Sequence, residues 1–253
     1  MEEGHVSCNI DEKGLATIEF GHPSSNALPG KILSKLAHAI TEISNDPSCK
    51  LILLKSAGNR AFCAGASFDE LSAIKNIEDG KVFFSGFANV INACRTSSKL
   101  IIGRIHGKAV GGGVGIASAV DYAFATEAAS VKLSELAVGI GPFVVGPAVE
   151  RKIGLSAMSQ LAINATAWRS AKWAEEKGLY AHVYEDIVQM DDGIAALIEK
   201  LTASNPSAMG HLKTVFWKGT DHWDKLLSER AEISGRLVLS DFTRNAIQAF
   251  KKT

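Results

Sequence analysis

The stretch from Lys99 to Tyr122, KLIIGRIHGKAVGGGVGIASAVDY, constrains this chain more than any other. Leu100-Ile101-Ile102 is a short apolar, β-branched run and reads as a buried strand. The chain then passes Gly107 and reaches Gly111-Gly112-Gly113. It continues as Val114 to Val120, small and apolar on every side, as expected of a helix at the centre of a domain. Glycines between a strand and a buried helix let backbone come close to a ligand, with free N–H groups and the positive helix end facing it. The same three glycines would also serve a tight turn chosen for packing. Neither common phosphate fingerprint fits. Gly103 to Lys108 is one residue short of a nucleotide P-loop and is followed by Ala109. A dinucleotide reading from Gly113 meets Ser118 where its third glycine belongs.

At 253 residues the chain can bury a substantial core. Lys plus Arg and Asp plus Glu both number 27, so no basic surplus points to nucleic acid or an anionic membrane. No apolar run is long enough for a membrane span, and MEEGHVSCNIDEKG has no basic-then-apolar signal. Cys8, Cys49, Cys63 and Cys94 are scattered without a CxxC pair, the pattern of reduced thiols, and a cytoplasmic location is expected. The seven His show no metal-ligand spacing, and His106 reads as structural.

Val6–Ile10 and Leu15–Phe20 around Asp11-Glu12-Lys13-Gly14 predict a hairpin. Pro29 opens a helix with Leu33, Leu36, Ala37, Ile40 and Ile43 on its apolar face. Leu51–Leu54 is a second buried strand, leading into a small-residue loop, Gly58 to Ala66. Val82, Phe83, Phe87, Val90, Ile91 and Cys94 mark another helix. Short strands follow at 122–126 and 131–133, then Ser134-Glu135-Leu136 and a Gly/Pro-rich loop from Gly139 to Pro147. Helices are predicted at 148–153, 156–163 and 171–177, and from Asp192 onward at about 192–203, 207–217, 223–239 and 242–252. Strand–helix alternation followed by helices indicates an α/β core with a helical C-terminal segment.

Two strands thus run into small-residue loops, Ala64-Gly65-Ala66 and Gly111-Gly112-Gly113, a design suited to aiming two backbone N–H groups at one oxyanion. With these segments in view, AFCAGASFDEL (61–71) and IHGKAVGGGVGIASAVDYAFAT (105–126) resemble the two signature segments of the crotonase superfamily, the enoyl-CoA hydratase/isomerase fold. Asn26-Ala27-Leu28, RKIG (151–154) and SAKWAEEKGLYAHV (170–183) are similar to further family segments, so the resemblance covers nearly the whole chain.

The resemblance implies an α/β spiral of ββα units with a C-terminal helical segment: a core over residues 1–190 and a helical trimerisation segment over 191–253. It implies an acyl-CoA enzyme of fatty acid metabolism, assembled as a homotrimer or dimer of trimers, with Val215, Phe216, Trp217, Leu226 and Leu227 offering apolar surface. No metal or redox cofactor is implied, since CoA is part of the substrate. Ala66 and Gly112 would supply the two N–H groups that hold the thioester oxygen as an enolate forms. Ser24, Ser25, Ala27, Ala64, Gly65, Phe68, Gly111, Gly115, Pro142 and Phe143 would contact substrate, and Lys251 or Lys252 the CoA phosphates.

Three positions depart from the hydratase pattern. Hydratases of the family have two Glu; here the first position is Gly115, and only the second, Glu135, is present. Its pKa is expected to be raised by apolar neighbours such as Leu136, Ile140 and Phe143. Gly141-Pro142-Phe143-Val144-Val145 resembles family isomerases more than hydratases, although ordinary packing would explain it equally. Ser67 replaces a common Asp, with no functional consequence drawn. One base can move a proton between carbons, whereas hydration needs a second group, so the reading leans to isomerisation. Hydration aided by Asp69 or Glu70, and a non-catalytic acyl-CoA-binding protein, are the alternatives.

Overall fold

A computed structural model of the chain describes residues 4–251. Its first strands are β1 (His5–Ile10) and β2 (Leu15–Gly21), the antiparallel hairpin expected from the turn cluster. β2 alternates half-buried and buried residues, so one face meets the core. Next come β3 (Ala27–Leu28), α1 (Gly30–Asn45), β4 (Leu51–Ser56), β5 (Ala61–Cys63), β6 (Gly65–Ala66), α2 (Phe68–Ala73) and α3 (Ile77–Thr96). The central stretch forms β7 (Leu100–Ile105), β8 (Lys108–Val110) and α4 (Gly112–Ala119). β9 (Tyr122–Thr126), β10 (Val131–Lys132), a short 3₁₀ turn at Glu135–Val138 and α5 (Gly146–Ile163) follow. The chain then forms α6 (Ala171–Glu176), β11 (His182–Tyr184), α7 (Ile187–Thr202), α8 (Pro206–Phe216), α9 (Trp223–Leu237) and α10 (Asp241–Lys251).

These elements wind as a spiral. One sheet has the order β1-β2-β4-β7-β9-β11, parallel after the first hairpin. A second layer, β10-β8-β5, is parallel throughout, and β3 pairs with β6. Each turn lays a strand in the large sheet, a shorter strand in the second layer, and then a helix or helical turn. The consequence for function lies in the second layer. β5, β8 and β10 lie side by side and in parallel, so the segments leaving their C-terminal ends emerge together. Those segments are Ala64–Ala66, Gly111–Gly113 and Ser134-Glu135.

The sequence places most elements to within a few residues. It does not find the short elements β3, β5, β6, β8, β11 and α2, or the first turn of α7. The helices expected at 148–153 and 156–163 are the two arms of α5, broken at Gly154, which has φ 77° and ψ 159°. α7 spans residue 190: Met190 and Ile194 pack on Leu51, Leu100, Ile102 and Phe124 of the sheet, and Asp191 pairs with Arg104 at 2.6 Å. In the helical segment, Trp217 and Leu227 are buried in the chain's own core, so they give no surface to a partner; Val215 and Phe216 are exposed. Among the described residues no helix is long and apolar enough to cross a membrane.

Candidate active site

One cavity of about 90 Å³ is lined by all three second-layer exits: Ala64, Gly65, Ala66, Gly111, Gly112, Ser134 and Glu135. Phe68 and Leu71 of α2, Phe83, Phe84 and Phe87 of α3, and Val138, Ile140, Pro142 and Phe143 close it with apolar surface. Among the described residues Glu135 is the one ionisable side chain in its lining.

The two glycine-rich turns are held by backbone chemistry. β6 pairs with β3 in the register Ala27 to Gly65 and Leu28 to Ala66, and the Ser67 N–H donates to the Leu28 carbonyl at 3.1 Å. In a parallel ladder neighbouring N–H groups face opposite sides, so that pairing turns the Ala66 N–H away from β3. Gly65 has φ 93°, and a Cβ there would lie 3.1 Å from the Val110 carbonyl. The same hypothetical atom would lie 3.8 Å from the Gly112 nitrogen, so the two turns touch. Gly111 has φ 52° and gives its N–H to the Lys132 carbonyl at 2.9 Å, leaving Gly112 to open α4. The first N–H groups of a helix have no intrahelical partner. A Cβ on Gly112 would lie 2.2 Å from the Phe87 ring, and one on Gly111 3.0 Å from the Glu135 carboxyl. The glycines are required by what crowds them.

Glu135 begins the 3₁₀ turn after β10. Its Oε2 is buried without a hydrogen-bond partner among the described residues. Burial pushes its pKa up to about 7, against a small opposite pull from its own backbone N–H. The apolar neighbours are not quite those expected: Ile140 and Phe143 line the cavity, while Leu136 is exposed.

Gly115 does not line the cavity. It lies inside buried α4, where a Cβ would come 2.5 Å from Val145 Cγ1, so Val145 occupies the space a side chain would need. Glu70 does not line it either: its Oε2 accepts from the Gly30 N–H at 2.8 Å, at the positive end of α1. Asp69 is likewise absent from the lining. Ser25 belongs to a second cleft, with His22, Asn59 and Arg60 among its walls, and Ser24 and Ala27 lie outside the cavity. Asn26, at φ 58°, accepts from the His22 N–H and donates to the Ala57 and Ala61 carbonyls, tying that loop to the start of β5. Lys251 ends α10, and Lys252 lies outside the described residues. His106 is buried with neither ring nitrogen partnered among the described residues; burial, then the nearby Arg104 charge, lowers its pKa. It lies outside the cavity, and no group of three or more described His, Cys, Asp or Glu is placed to hold a metal.

Sequence reasoning did not assign Leu71, Phe83, Phe84, Phe87, Val110, Val138 or Ser234 to this cavity. The aromatic cluster on one helix was a visible signal for Phe83, Phe84 and Phe87. Nothing in the local sequence announces Ser234, which arrives from α9.

The spiral and its three converging exits define a crotonase-superfamily protein. The family model described as enoyl-CoA hydratase/isomerase matches residues 11–251. A short-chain-enoyl-CoA hydratase of Clostridium acetobutylicum is 27% identical over 253 residues, covering 99% of this chain and 95% of its own. A peroxisomal Delta(3,5)-Delta(2,4)-dienoyl-CoA isomerase of Arabidopsis thaliana is 24% identical over 240 residues, covering 88% and 84%. The crystal structure of an enoyl-CoA hydratase from Bacillus halodurans superposes with a TM-score of 0.88 over 96% of this chain and 99% of that one, at 19% identity. The chain belongs to the enoyl-CoA hydratase/isomerase family.

Proposed function

We propose that this family member moves a double bond in an acyl-CoA thioester, converting a 3-enoyl to a 2-enoyl ester with Glu135 as its single base. The observation carrying the reading is that one carboxyl, its pKa raised to about 7, is the single ionisable side chain in a largely apolar cavity among the described residues, with Val145 where a second acid would need room. The Glu135 carboxylate takes a proton from C2. Electrons spread over the thioester oxygen as a dienolate, toward which the Ala66 and Gly112 N–H groups are aimed. Glu135 then returns the proton to C4, and the double bond stands between C2 and C3. No atom is gained or lost, and no water takes part. A pKa near 7 suits both halves, because the group must accept and then release a proton at one pH.

The CoA portion is taken to lie outside this small cavity, with no metal or redox cofactor in the reaction, and its affinity should fall with rising salt as phosphate contacts are screened. We also infer trimers or dimers of trimers in the cytoplasm, supported by exposed Leu212, Val215 and Phe216 on α8, with residues beyond 190 as the assembling segment. A monomeric mass at micromolar concentration would refute the assembly.

The decisive assay sets 3-enoyl-CoA and 2-enoyl-CoA esters side by side. Isomerisation should be the faster activity and should vanish in Glu135→Ala. Hydration that the 3-enoyl reaction does not approach would overturn the choice of reaction. Tight CoA-ester binding without turnover of any ester would point to a binding protein.

A further inference from the structure

The cavity has two hydroxyl side chains that the chemistry above does not use, Ser134 and Ser234. Ser234, on α9, is 1% exposed and lines the cavity. Among the described residues no side-chain hydrogen bond holds its hydroxyl, although its backbone carbonyl accepts from the Val238 N–H at 3.0 Å. Ser134, the other hydroxyl in the lining, is only partly buried and adjoins Glu135 in sequence. Ser234 is therefore the buried hydroxyl brought in from a separate element.

Its position is fixed by the neighbouring residue. Gly235 meets Gly80 of α3 backbone to backbone: a Cβ on Gly80 would lie 2.7 Å from the Gly235 Cα. Further pairs hold the two helices along their length, Lys81 with Glu232 at 3.8 Å and Arg95 with Asp224 at 2.9 Å. α9 thus has little freedom to turn Ser234 away. Phe83, Phe84 and Phe87 follow Gly80 along α3, so Ser234 joins the cavity wall together with aromatic rings.

A hydrocarbon chain filling this space would remove water from the hydroxyl and give nothing in return. Leaving a buried hydroxyl unpaired typically costs about 1–3 kcal/mol. Sites that hold a polar group for a substrate's own polar group discriminate against the analogue lacking it by that route. The cavity volume of about 90 Å³ is below the roughly 300–1,000 Å³ of sites that enclose a whole ligand, so it suits a short acyl group.

Taking the acyl-CoA reading as its basis, we propose that Ser234 is a specificity-determining residue that selects short acyl-CoA esters bearing a hydroxyl or carbonyl oxygen on the acyl chain. The hydroxyl donates to, or accepts from, that oxygen within the apolar cavity.

Equilibrium binding of saturated, unreactive esters tests this without relying on turnover. The probes are two matched pairs: butyryl-CoA with 4-hydroxybutyryl-CoA, and valeryl-CoA with 5-hydroxyvaleryl-CoA. In the wild type at least one hydroxylated ester should bind about tenfold tighter than its hydrocarbon partner, and in Ser234→Ala that ratio should fall to about one. Ser234→Cys, somewhat larger and a weaker hydrogen-bonding group, should give an intermediate ratio. Equal or tighter binding of the hydrocarbon in both wild-type pairs would overturn the proposal, and so would a ratio that survives Ser234→Ala in a variant of unchanged melting temperature. The wild-type arm decides even if the variants fold poorly. Failure of all four esters to bind would overturn the acyl-CoA reading itself, a result distinct from binding without discrimination.

Discussion

Asp121 and Glu135 both hold a carboxyl out of water, and their surroundings are opposites. Asp121 accepts from the Ile101 N–H at 2.8 Å, from Lys213 Nζ at 3.0 and 2.7 Å on its two oxygens, and from Trp217 Nε1 at 3.0 Å. Glu135 Oε2 accepts from none of the described residues. Lys152 adds to the first region, donating to the Val120 and Asp121 carbonyls, and burial lowers its pKa to about 8. The paired carboxyl joins β7, the start of β9 and α8, and so anchors the helical segment to the sheet. The unpaired one is destabilised as a charge and is left free to exchange a proton. A buried charge held by donors on both oxygens is a fastening; one with an oxygen left unpartnered is a reagent.

The comparison makes Glu135→Gln the variant of largest effect. Its isomerase kcat should fall about a hundredfold to ten-thousandfold, the usual worth of a positioned acid/base, with the fold intact by circular dichroism. A loss of less than tenfold would mean that the carboxyl is not the base. Asp121→Ala should do the reverse. Stranding Lys213 in the core should cost about 3–5 kcal/mol of unfolding free energy in a urea titration, with activity per folded molecule retained. An unchanged midpoint would erase the contrast.

Acidity gives the next test. Below pH 7 Glu135 is mostly protonated and cannot act as base, so kcat/KM should rise with pH through an apparent pKa of about 7. The stability effect has the opposite sign. The folded pKa is raised above the ordinary 4.5, so between pH 4.5 and 7 the folded state holds more protons than the unfolded one. Stability therefore falls as pH rises through that window. At pH 8 Glu135→Gln should be more stable than the wild type by on the order of 2–3 kcal/mol, and at pH 4 nearly equal to it. Equal stability at both pH values would show that the carboxyl is not strained by burial.

Gly115→Glu gives the smallest and most specific effect. The added side chain collides with Val145, and overpacking of that kind costs about 1–3 kcal/mol. Combining it with Val145→Ala should recover part of that loss and allow hydration of a 2-enoyl ester to appear. Hydration already present in the single variant would show that Val145 yields easily.

The α/β core was legible because β7 opens on Leu100-Ile101-Ile102 and because Gly111-Gly112-Gly113 stands before an apolar helix, whereas the spiral was implied only by the family resemblance. β8 and β11 were missed because each has only three residues and is defined by its neighbours in the sheet. The glycine turns could be read locally, since each follows a strand signal; Glu135, Pro142 and Phe143 were reached only through the family resemblance, because a Glu after a short strand is locally indistinguishable from a solvated charge. Ser234 and Val145 could not. Their roles depend on which element lies across from them, a long-range fact that no local pattern carries. The same limit explains Trp217 and Leu227, whose apolar character suits an interface or a core equally well.

The clasp between Gly80 and Gly235 also has a temporal side. The wall that Ser234 supplies is made about one hundred residues after Glu135, a delay of roughly 5–20 s at ribosomal speeds of about 5–20 residues per second. Through that interval Phe83, Phe84 and Phe87 lack the helix that lies along them. A nascent chain stalled there would be a greasy, half-built funnel and a natural client for chaperones, and substrate supplied during synthesis could not hasten closure until α9 had been made.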